Sequence, residues 1–246
     1  FGVKKKKIFL YLTSDGFKEY KIKFSILGYL IYFVMFYIFK SKSNLISCSK
    51  NISNLQNFKH IPISSLKADW IKKKLIKKKI DNKNIKILYV GRFRIEKGFK
   101  SLISLFEQLD NKFKLTMIGY DQNNKIYEKS NIIFKKKINN NKIIKNLIDS
   151  NDILILPSYT EAYPQVVLES LSRLKPVIIF KEIAFIRNDF KSGIFVCDRN
   201  VTSLKVTILK IIQNYYEIQK KIRINKLLLD KNFKKNIENY FIQIKE

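Results

Sequence analysis

Two short stretches of the chain place charged side chains directly after an apolar run. The first, VGRFRIEKG (90–98), puts Arg92 and Lys97 after Gly91, a residue that permits a tight turn. An arginine and a lysine at the beginning of a helix form a cationic site, and the helix dipole adds to their attraction for an anion such as a diphosphate. The alternative is that both are surface charges in a lysine-rich protein.

The second stretch, PSYTEAYPQVVLES (157–170), carries two glutamates in a chain with few acidic residues. Pro164 suits the first turn of a helix, where its missing N–H costs nothing and nearby amides stay available to phosphate or sugar oxygens. Glu161 then lies in the loop before the helix, within reach of hydroxyl groups, and Glu169 lies in the second turn, where a ribose diol could donate to it. The alternative makes Glu161 a loop charge and Glu169 a solvated helix residue.

The surrounding pattern predicts an α/β fold that positions both stretches. Apolar, strand-like runs alternate with segments of helical spacing, which indicates a parallel sheet with helices on both faces. The predicted strands are 85–90, 114–119, 131–134, 152–158, 176–180 and 193–196, and the predicted helices are 97–109, 141–150 and 165–174. Ligands of such sheets bind at the carboxyl ends of the strands, where both charged stretches are expected.

The beginning of the chain repeats this alternation in shortened form. The predicted elements there are strands at 7–14, 44–49 and 59–63 and a helix at 18–39. This is too little for a complete doubly wound domain. We therefore expect the back half of an α/β domain at residues 1–65, a complete Rossmann-like domain at 66–230, and a terminal helix at 231–246.

Together the two charged stretches resemble the sugar-nucleotide site of the family 4 glycosyltransferases, retaining enzymes of the GT-B fold with two facing Rossmann-like domains. VGRFRIEKG is similar to that family's G-R-x-x-x-E-K-G turn. NDILILPSYTEAYPQVVLESLSRLKPVI (151–178) is similar to its A-D-x-x-x-x-P-S-x-x-E-x-x-x-x-x-x-x-E-A-x-x-x-x-x-P-V-I stretch. The resemblance covers residues 44–246 in outline, including the closing helix that in the family packs back toward the N-terminal domain.

The resemblance implies a role for each matched residue. Arg92 and Lys97 would bind the donor diphosphate, and Glu169 would hold the ribose hydroxyls. Glu161 would be the catalytic residue. The transferred sugar and its phosphate would be bound by the run Glu161, Ala162, Tyr163, Pro164 and Gln165.

The reaction that the resemblance implies is transfer of a hexose from a UDP- or GDP-sugar to a glycan or lipid-linked acceptor. It would proceed with retention of the anomeric configuration, without a metal or another cofactor, in the synthesis of surface polysaccharide or glycolipid. As the bond to the diphosphate breaks, negative charge grows on the leaving group, and Arg92, Lys97 and the helix N-terminus would neutralise it. Glu161 and Glu169 are therefore not expected to be the acid and base pair of a glycoside hydrolase.

The sequence also departs from the family pattern. The family's first domain begins with a Gly-rich loop that is absent here, so we expect an N-terminally truncated chain. Asp15, in LTSDGF (12–17), stands where the family commonly has a histidine near the transferred sugar, and His60 lies in the expected linker instead. KKKINN (135–140) stands where the family tends to have a glycine, which leaves the base undetermined. An inactive sugar-nucleotide-binding fragment therefore remains an alternative.

The formal net charge of +29 favours anionic partners, and a basic nucleic-acid-binding protein is a further alternative. Lys, Ile, Asn, Phe and Tyr are over-used together, as A/T-rich codons would produce, and only six of the 49 basic residues are arginines. Because the basic residues are spread along the whole chain and match no RNA-binding motif, we expect no nucleic-acid partner.

The run FSILGYLIYFVMFYIF (24–39) is free of charge for 16 residues between Lys23 and Lys40. It predicts a buried helix, a helix at a membrane surface or a short membrane span, since a spanning helix usually needs about 20 apolar residues. A basic surface beside this run would suit peripheral contact with an anionic membrane. Cys48 and Cys197 are expected to be buried thiols. A cytoplasmic protein at the inner face of the cell membrane is therefore expected.

Overall fold

The computed structural model describes residues 8–52, 58–72, 80–120 and 130–245, which divide into two compact units. The larger unit comprises Leu66–Tyr159 and Pro164–Leu227, and the smaller comprises Phe1–Ser65, Thr160–Tyr163 and Leu228–Glu246. The chain therefore leaves the larger unit at Thr160 and returns to it at Pro164. Lys7 and Glu246, at the outer ends of the first predicted strand and the last predicted helix, lie outside the described residues.

The smaller unit contains a three-stranded parallel sheet in the order β1-β2-β3. Its elements up to residue 60 are β1 (Phe9–Leu12), α1 (Gly16–Lys42), β2 (Asn44–Ser47) and β3 (Lys59–His60). Apolar residues from α1, β2 and the residues after β2 form its core, which also takes in Ala162 and Tyr163.

Helix α1 begins after Asp15, whose side chain is 1% exposed and accepts a hydrogen bond from the backbone N–H of Lys18 at 3.2 Å. Asp15 stands where the resemblance leads one to expect a histidine, and in this structure it is a helix cap. The helix is interrupted at Phe24 and Ser25, and Ser25 has a left-handed φ of 58°. The predicted helix 18–39 is therefore two helical segments joined by a kink.

Most of the apolar side chains of α1 are exposed. The inward side presents Gly28 and Phe36, whereas the exposed residues include Ile26, Leu27, Leu30, Ile31, Phe33, Val34, Met35, Ile38 and Phe39. The helix is long and apolar enough to cross a membrane, a property that core helices and signal sequences share, and 11% of its most apolar window is buried. Within the described residues, the run 24–39 is thus largely uncovered.

The larger unit contains a six-stranded parallel sheet in the order β6-β5-β4-β7-β8-β9. The strands are β4 (Ile85–Val90), β5 (Phe113–Tyr120), β6 (Ile132–Lys136), β7 (Ile153–Leu156), β8 (Val177–Phe180) and β9 (Ile194–Cys197). The helices are α2 (Phe99–Glu107), α3 (Asn141–Ser150), α4 (Gln165–Ser172), α5 (Val201–Gln213) and α6 (Tyr215–Ile222). The predicted α/β class with parallel sheets is confirmed.

The strands of the larger unit are continuous apolar runs because a parallel sheet is covered on both faces. All four residues of β7 and of β8 are buried. Asp152, directly before β7, accepts a hydrogen bond from the backbone N–H of Lys86 at 2.9 Å, and its carbonyl accepts one from the Tyr215 hydroxyl at 2.7 Å. These bonds fasten the beginning of β7 to its neighbours.

The last helix, α7 (Asp230–Lys245), belongs to the smaller unit. Its Phe241 ring lies 4.9 Å from the ring of Phe9, and its Phe233 ring lies 6.2 Å from that of Tyr11, both on β1. The hydroxyl of Ser64 donates a hydrogen bond to the carbonyl of Leu228 at 2.6 Å, just before the helix. The end of the chain is thus fastened to the first strand of the smaller unit.

Candidate functional site

The order in which strands are added to the sheet of the larger unit reverses between β4 and β7. From β4 the chain adds β5 and β6 on one side, and from β7 it adds β8 and β9 on the other. The two strands pair in parallel, with Ile87 beside Ile153 and Leu88 beside Leu154. Ligands of doubly wound sheets bind in the crevice at such a switch point, outside the carboxyl ends of the strands. Both charged stretches of the sequence follow these two strands.

The turn after β4 holds the backbone of Arg92 in place and leaves its side chain exposed. Gly119, near the end of β5, has a φ of 119°, and a Cβ built on it would lie 2.0 Å from the carbonyl oxygen of Gly91, so β5 passes this turn too closely for a side chain. The hydroxyl of Tyr89 donates to the carbonyl of Arg92 at 2.9 Å. The guanidinium of Arg92 is therefore presented to solvent from a fixed backbone.

Lys97 lies in a 3-10 turn, Ile95–Lys97, and not in the helix that was predicted to begin there. The helix α2 begins two residues later because Gly98, with a left-handed φ of 68°, ends the 3-10 turn and caps α2. A Cβ at Gly98 would lie 2.0 Å from the carbonyl oxygen of Pro157. A glycine is thus required where the Lys97 turn crosses the end of β7.

The turns after β4 and β7 are also joined by a backbone hydrogen bond. The N–H of Tyr159 donates to the carbonyl of Glu96 at 2.9 Å. Glu96 and Ser158 are both buried at this crossing. The residues that follow the two central strands therefore form one connected surface at the carboxyl edge of the sheet.

The helix after β7 begins as the sequence predicts, at Gln165. Pro164 is its N-cap residue, with a φ of −72° and a ψ of 117°, and accepts a hydrogen bond from the N–H of Val167 at 3.2 Å. Pro164 therefore precedes the helix by one position instead of occupying its first turn. The N-terminus of α4 follows the carboxyl end of β7 in the chain, after the loop 157–164.

Glu169 lies in the second turn of α4, and burial raises the pKa of its carboxyl group above the ordinary value. Within the part of the chain that the structure describes, its side chain accepts no hydrogen bond, whereas its backbone carbonyl accepts one from the Ser172 hydroxyl at 2.7 Å. A half-buried carboxylate without a protein donor has open lone pairs for the hydroxyls of a ligand.

The predicted site residues are divided between the two units. Arg92, Lys97, Pro164, Gln165 and Glu169 belong to the larger unit, and Glu161, Ala162 and Tyr163 belong to the smaller. Ala162 is buried and Tyr163 is partly buried in the core of the smaller unit. Burial raises the pKa of the Cys48 thiol to about 12, its own backbone hydrogen bond opposes the rise, and the charge of Glu161 adds to it.

Arg199, directly after β9, was not predicted as a site residue. Its side chain is 15% exposed and forms a salt bridge with Glu182 at 2.7 Å. Its guanidinium carbon lies 4.1 Å from the ring centre of Tyr159 and 4.3 Å from that of Phe180. The signal for it in the sequence is an arginine at the carboxyl end of a strand in a chain whose basic residues are mostly lysines.

Among the described residues, no three His, Cys, Asp or Glu side chains are grouped so that they could hold a metal ion. His60 lies on β3 in the smaller unit, with Asn236, Asn239 and Gln243 around a cavity of about 290 Å³ beside it. Cys48 and Cys197 are both buried and unbridged, as predicted.

Comparison with known proteins identifies a family that the chain matches and several proteins that it resembles. The family described as "Glycosyl transferases group 1" matches residues 71–240. An "Uncharacterized 41.2 kDa protein in cps region" of Klebsiella pneumoniae is 31% identical over 110 residues, 43% of this chain and 30% of that protein. The "Putative teichuronic acid biosynthesis glycosyltransferase TuaC" of Bacillus subtilis is 32% identical over 91 residues, 37% of this chain and 23% of that protein. The matched residues span less than a third of the length of the Klebsiella protein and of TuaC.

Among solved structures, HepE of Anabaena in complex with UDP-glucose is similar with a TM-score of 0.72. The similarity covers 97% of this chain and 73% of HepE, at 13% sequence identity. At that identity the likeness shows a shared fold.

Proposed function

Because the chain belongs to the glycosyl transferases group 1 family, we propose that it transfers a hexose from a UDP- or GDP-sugar to a glycan or lipid-linked acceptor, with retention of the anomeric configuration. The observation that carries the proposal is the joining of the turns after β4 and β7 at the switch point of the sheet, through the bond from Tyr159 to Glu96. This edge is where a doubly wound sheet binds a nucleotide.

The donor diphosphate is proposed to bind Arg92 and Lys97. Arg92 is exposed on a fixed backbone, and its planar guanidinium can bind two phosphate oxygens at once. The N-terminus of α4, where the helix dipole favours negative charge, is proposed to add to this attraction. As the bond from the anomeric carbon to the diphosphate oxygen breaks, charge grows on that oxygen, and these cations and the helix N-terminus stabilise it without needing a metal.

The ribose is proposed to bind Glu169, whose carboxylate can accept from both hydroxyls of a diol. The segment from Glu161 to Gln165, which immediately precedes and enters α4, is proposed to bind the transferred sugar, with Glu161 as the catalytic residue. This part rests on the likeness of the sequence to the family motif. The relative named for teichuronic acid biosynthesis supports a product in surface polysaccharide or glycolipid synthesis, and the HepE complex supports UDP as the nucleotide.

Thermal denaturation with added nucleotide tests the donor site. A nucleotide that binds only the folded protein raises its Tm. At a free nucleotide concentration of 100 times the Kd, the free energy of unfolding increases by about 2.7 kcal/mol. We expect UDP or GDP to raise the Tm of the wild-type chain, and to raise it much less in Arg92→Ala or Glu169→Ala at the same nucleotide concentration.

If neither nucleotide changes the Tm while duplex DNA raises it with a steep dependence on salt, the chain is a nucleic-acid-binding protein and the proposal is wrong. If UDP or GDP binds but radiolabelled sugar never reaches any lipid or glycan acceptor, the chain is an inactive donor-binding fragment.

We further propose that α1 lies at the surface of an anionic membrane, where a lipid-linked acceptor would be found. Its exposed apolar side chains are flanked by Lys18, Lys21 and Lys23 before the run and by Lys40 and Lys42 after it. After Glu19 the next acidic residue in the sequence is Asp69, so the charge beside the run is positive. Apolar insertion and attraction to anionic lipids act together in such helices.

Sedimentation with vesicles tests the membrane proposal. We expect the chain to sediment with vesicles of equal phosphatidylglycerol and phosphatidylcholine and not with phosphatidylcholine alone. The triple variant Ile31→Asn, Val34→Asn and Ile38→Asn should stay in solution, whereas Ile242→Asn, an exposed apolar residue on α7, should sediment like the wild type. Dimerisation of the wild type without vesicle binding would instead assign the apolar face to a second copy.

A further inference from the structure

The guanidinium of Arg199 contacts residues at or beyond the carboxyl ends of three strands of the larger unit. It donates from Nε to Glu182, after β8, at 2.7 Å, and from Nη1 to the hydroxyl of Ser101, in the helix after β4, at 2.7 Å. It packs on the rings of Tyr159, after β7, and Phe180, at the end of β8. Arg199 itself follows β9. One side chain thus ties together the carboxyl ends of β4, β7, β8 and β9.

Ser101 extends this contact to the turn that carries Lys97. Its hydroxyl accepts from Arg199 and donates to the carbonyl of Gly98 at 2.9 Å. Gly98 follows Lys97 directly, and a Cβ on it would lie 3.3 Å from the Nη1 of Arg199. A hydroxyl that accepts from a cation is a stronger donor, so the guanidinium strengthens the bond that holds the turn. The guanidinium of Arg199 is therefore connected to the backbone of the Lys97 turn through a single hydroxyl group.

The surroundings of Arg199 suit an arginine and not a lysine. A flat guanidinium can stack between two aromatic rings while its edge donates to Glu182 and Ser101, and an ammonium group cannot do both. Burial alone would raise the pKa of Glu182, but the hydrogen bond and the charge of Arg199 hold it below its ordinary value. Glu182 is thus ionised at neutral pH, which fixes the orientation of the guanidinium edge.

We infer that Arg199 is a positioning residue for the donor diphosphate: through Ser101 and Gly98 it holds the turn that presents Lys97 to the phosphate. The inference rests on the proposed function, since it explains how the backbone that carries Lys97 is held within that site. Arg199 is not a catalytic residue, because its guanidinium is engaged by Glu182, Ser101, the two rings and the carbonyl of Ser158, which accepts from Nη2 at 3.5 Å.

Titration calorimetry with UDP and GDP tests the inference on the folded chain. Arg199→Lys keeps the charge and loses the stacking fork, and we expect about tenfold weaker binding of the nucleotide that the wild type binds. Arg173→Lys is the matched control, since Arg173 is also a largely buried arginine paired with an acid, Asp149, in the same unit. We expect Arg173→Lys to bind nucleotide with the wild-type Kd even where its Tm is lower.

A double-mutant cycle separates positioning from general stability. Lys97→Ala should weaken nucleotide binding about tenfold or more by removing a charge-assisted hydrogen bond. If Arg199 acts through Lys97, Arg199→Lys should cause no further loss in the Lys97→Ala background, and Ser101→Ala should weaken binding in the same direction as Arg199→Lys.

The outcomes of this cycle are distinct. Wild-type affinity in Arg199→Lys, or a loss that multiplies fully with that of Lys97→Ala, overturns the role of Arg199 and leaves the donor site standing. Failure of UDP and GDP to bind the wild type, or wild-type affinity in both Lys97→Ala and Arg92→Ala, overturns the proposed function, and the inference falls with it.

Discussion

At each edge of the six-stranded sheet, meaning the amino ends or the carboxyl ends of its strands, a largely buried arginine is paired with an acid, and the two arginines make different further contacts. At the amino edge, Arg173 donates to both carboxylate oxygens of Asp149, from Nε at 3.0 Å and from Nη2 at 2.5 Å, and to the carbonyl of Trp70 at 2.9 Å. At the carboxyl edge, Arg199 binds one oxygen of Glu182 and reaches the Lys97 turn through Ser101.

The difference concerns what surrounds each pair. Around Asp149, Lys72 lies 3.4 Å away and Lys175 donates to its backbone carbonyl at 2.9 Å, so one acid is surrounded by cations that join the ends of α3 and α4. Arg199 instead contacts residues beside the turns after β4 and β7, and the turn after β4 carries Arg92 and Lys97. Similar chemistry therefore joins elements of the fold at one edge and, in the proposed function, holds the donor-binding turns at the other. The predictions below, from the largest effect to the smallest, test that contrast.

Removing Arg173 should be the most damaging change to the fold. Arg173→Ala leaves Asp149 and the carbonyl of Trp70 without their main donor, and breaking a buried pair in this way costs about 3 kcal/mol. Urea denaturation should show this loss, while the nucleotide affinity of the folded fraction stays at the wild-type value. A loss below about 1 kcal/mol, the range of exposed ion pairs, would contradict the structural role of the amino edge.

Removing Arg92 should weaken nucleotide binding and leave the stability of the fold nearly unchanged. Arg92→Ala deletes an exposed guanidinium whose backbone contacts remain, so the free energy of unfolding should change by less than about 0.5 kcal/mol. Nucleotide binding should weaken by about 2 kcal/mol, roughly thirtyfold, as expected for a lost bond between charged groups. Calorimetric titration of UDP and GDP measures this, with Arg94→Ala, an exposed arginine in the same turn, as the control. Equal losses in the two variants would mean that the site has no preference for Arg92.

Both arginine pairs should make the fold sensitive to acid. Burial alone would raise the pKa of Asp149, but the hydrogen bond and charge of Arg173, together with Lys72 and Lys175, hold it below its ordinary value, as Arg199 does for Glu182. An acid whose pKa is lowered by folding contributes stability above its unfolded pKa and loses it as the pH falls through the folded pKa. The Tm should therefore fall below about pH 4, and more gently in Asp149→Asn. If the Tm of Asp149→Asn falls with acid as steeply as that of the wild type, the pKa of Asp149 is not lowered by folding.

Glu169 should show the smallest effect on stability, with the reverse sign. Burial raises its pKa, so its ionised form is disfavoured in the folded state, and stability is lost as the pH rises from the unfolded pKa through the folded one. Glu169→Gln should therefore match the wild type at pH 4 and exceed its stability at pH 7 by a few tenths of a kcal/mol, while nucleotide binding weakens. Lower stability of the variant at pH 7 would indicate a protein partner for the carboxylate.

The elements around the switch point could be predicted from sequence because each is a local pattern. The run IKILYV gives β4 with the predicted bounds, and the apolar spacing of 141–150 gives α3 with the predicted bounds. The helices α5 and α6 were not predicted, and the helix expected from Lys97 begins at Phe99. A left-handed glycine such as Gly98 ends a 3-10 turn by a crossing with Pro157, which no local pattern reports.

The site itself could be predicted only in part. Arg92, Lys97 and Glu169 follow from charge and turn chemistry within short stretches. Arg199 could not, since its importance comes from Ser101, 98 positions earlier in the chain, and from the rings of Tyr159, after β7, and Phe180, on β8. The placement of Thr160–Tyr163 in the smaller unit likewise depends on long-range packing.

Hydrogen exchange with and without nucleotide tests the contrast between the two edges most directly. With UDP or GDP at saturating concentration, the account predicts slower exchange at the carboxyl edge, in amides 91–98 and 165–168, and unchanged exchange at the amino edge, in amides 147–152 and 172–175. Protection confined to the amino edge, or none at either edge while the nucleotide is bound, would contradict the assignment of the donor site to the turns after β4 and β7.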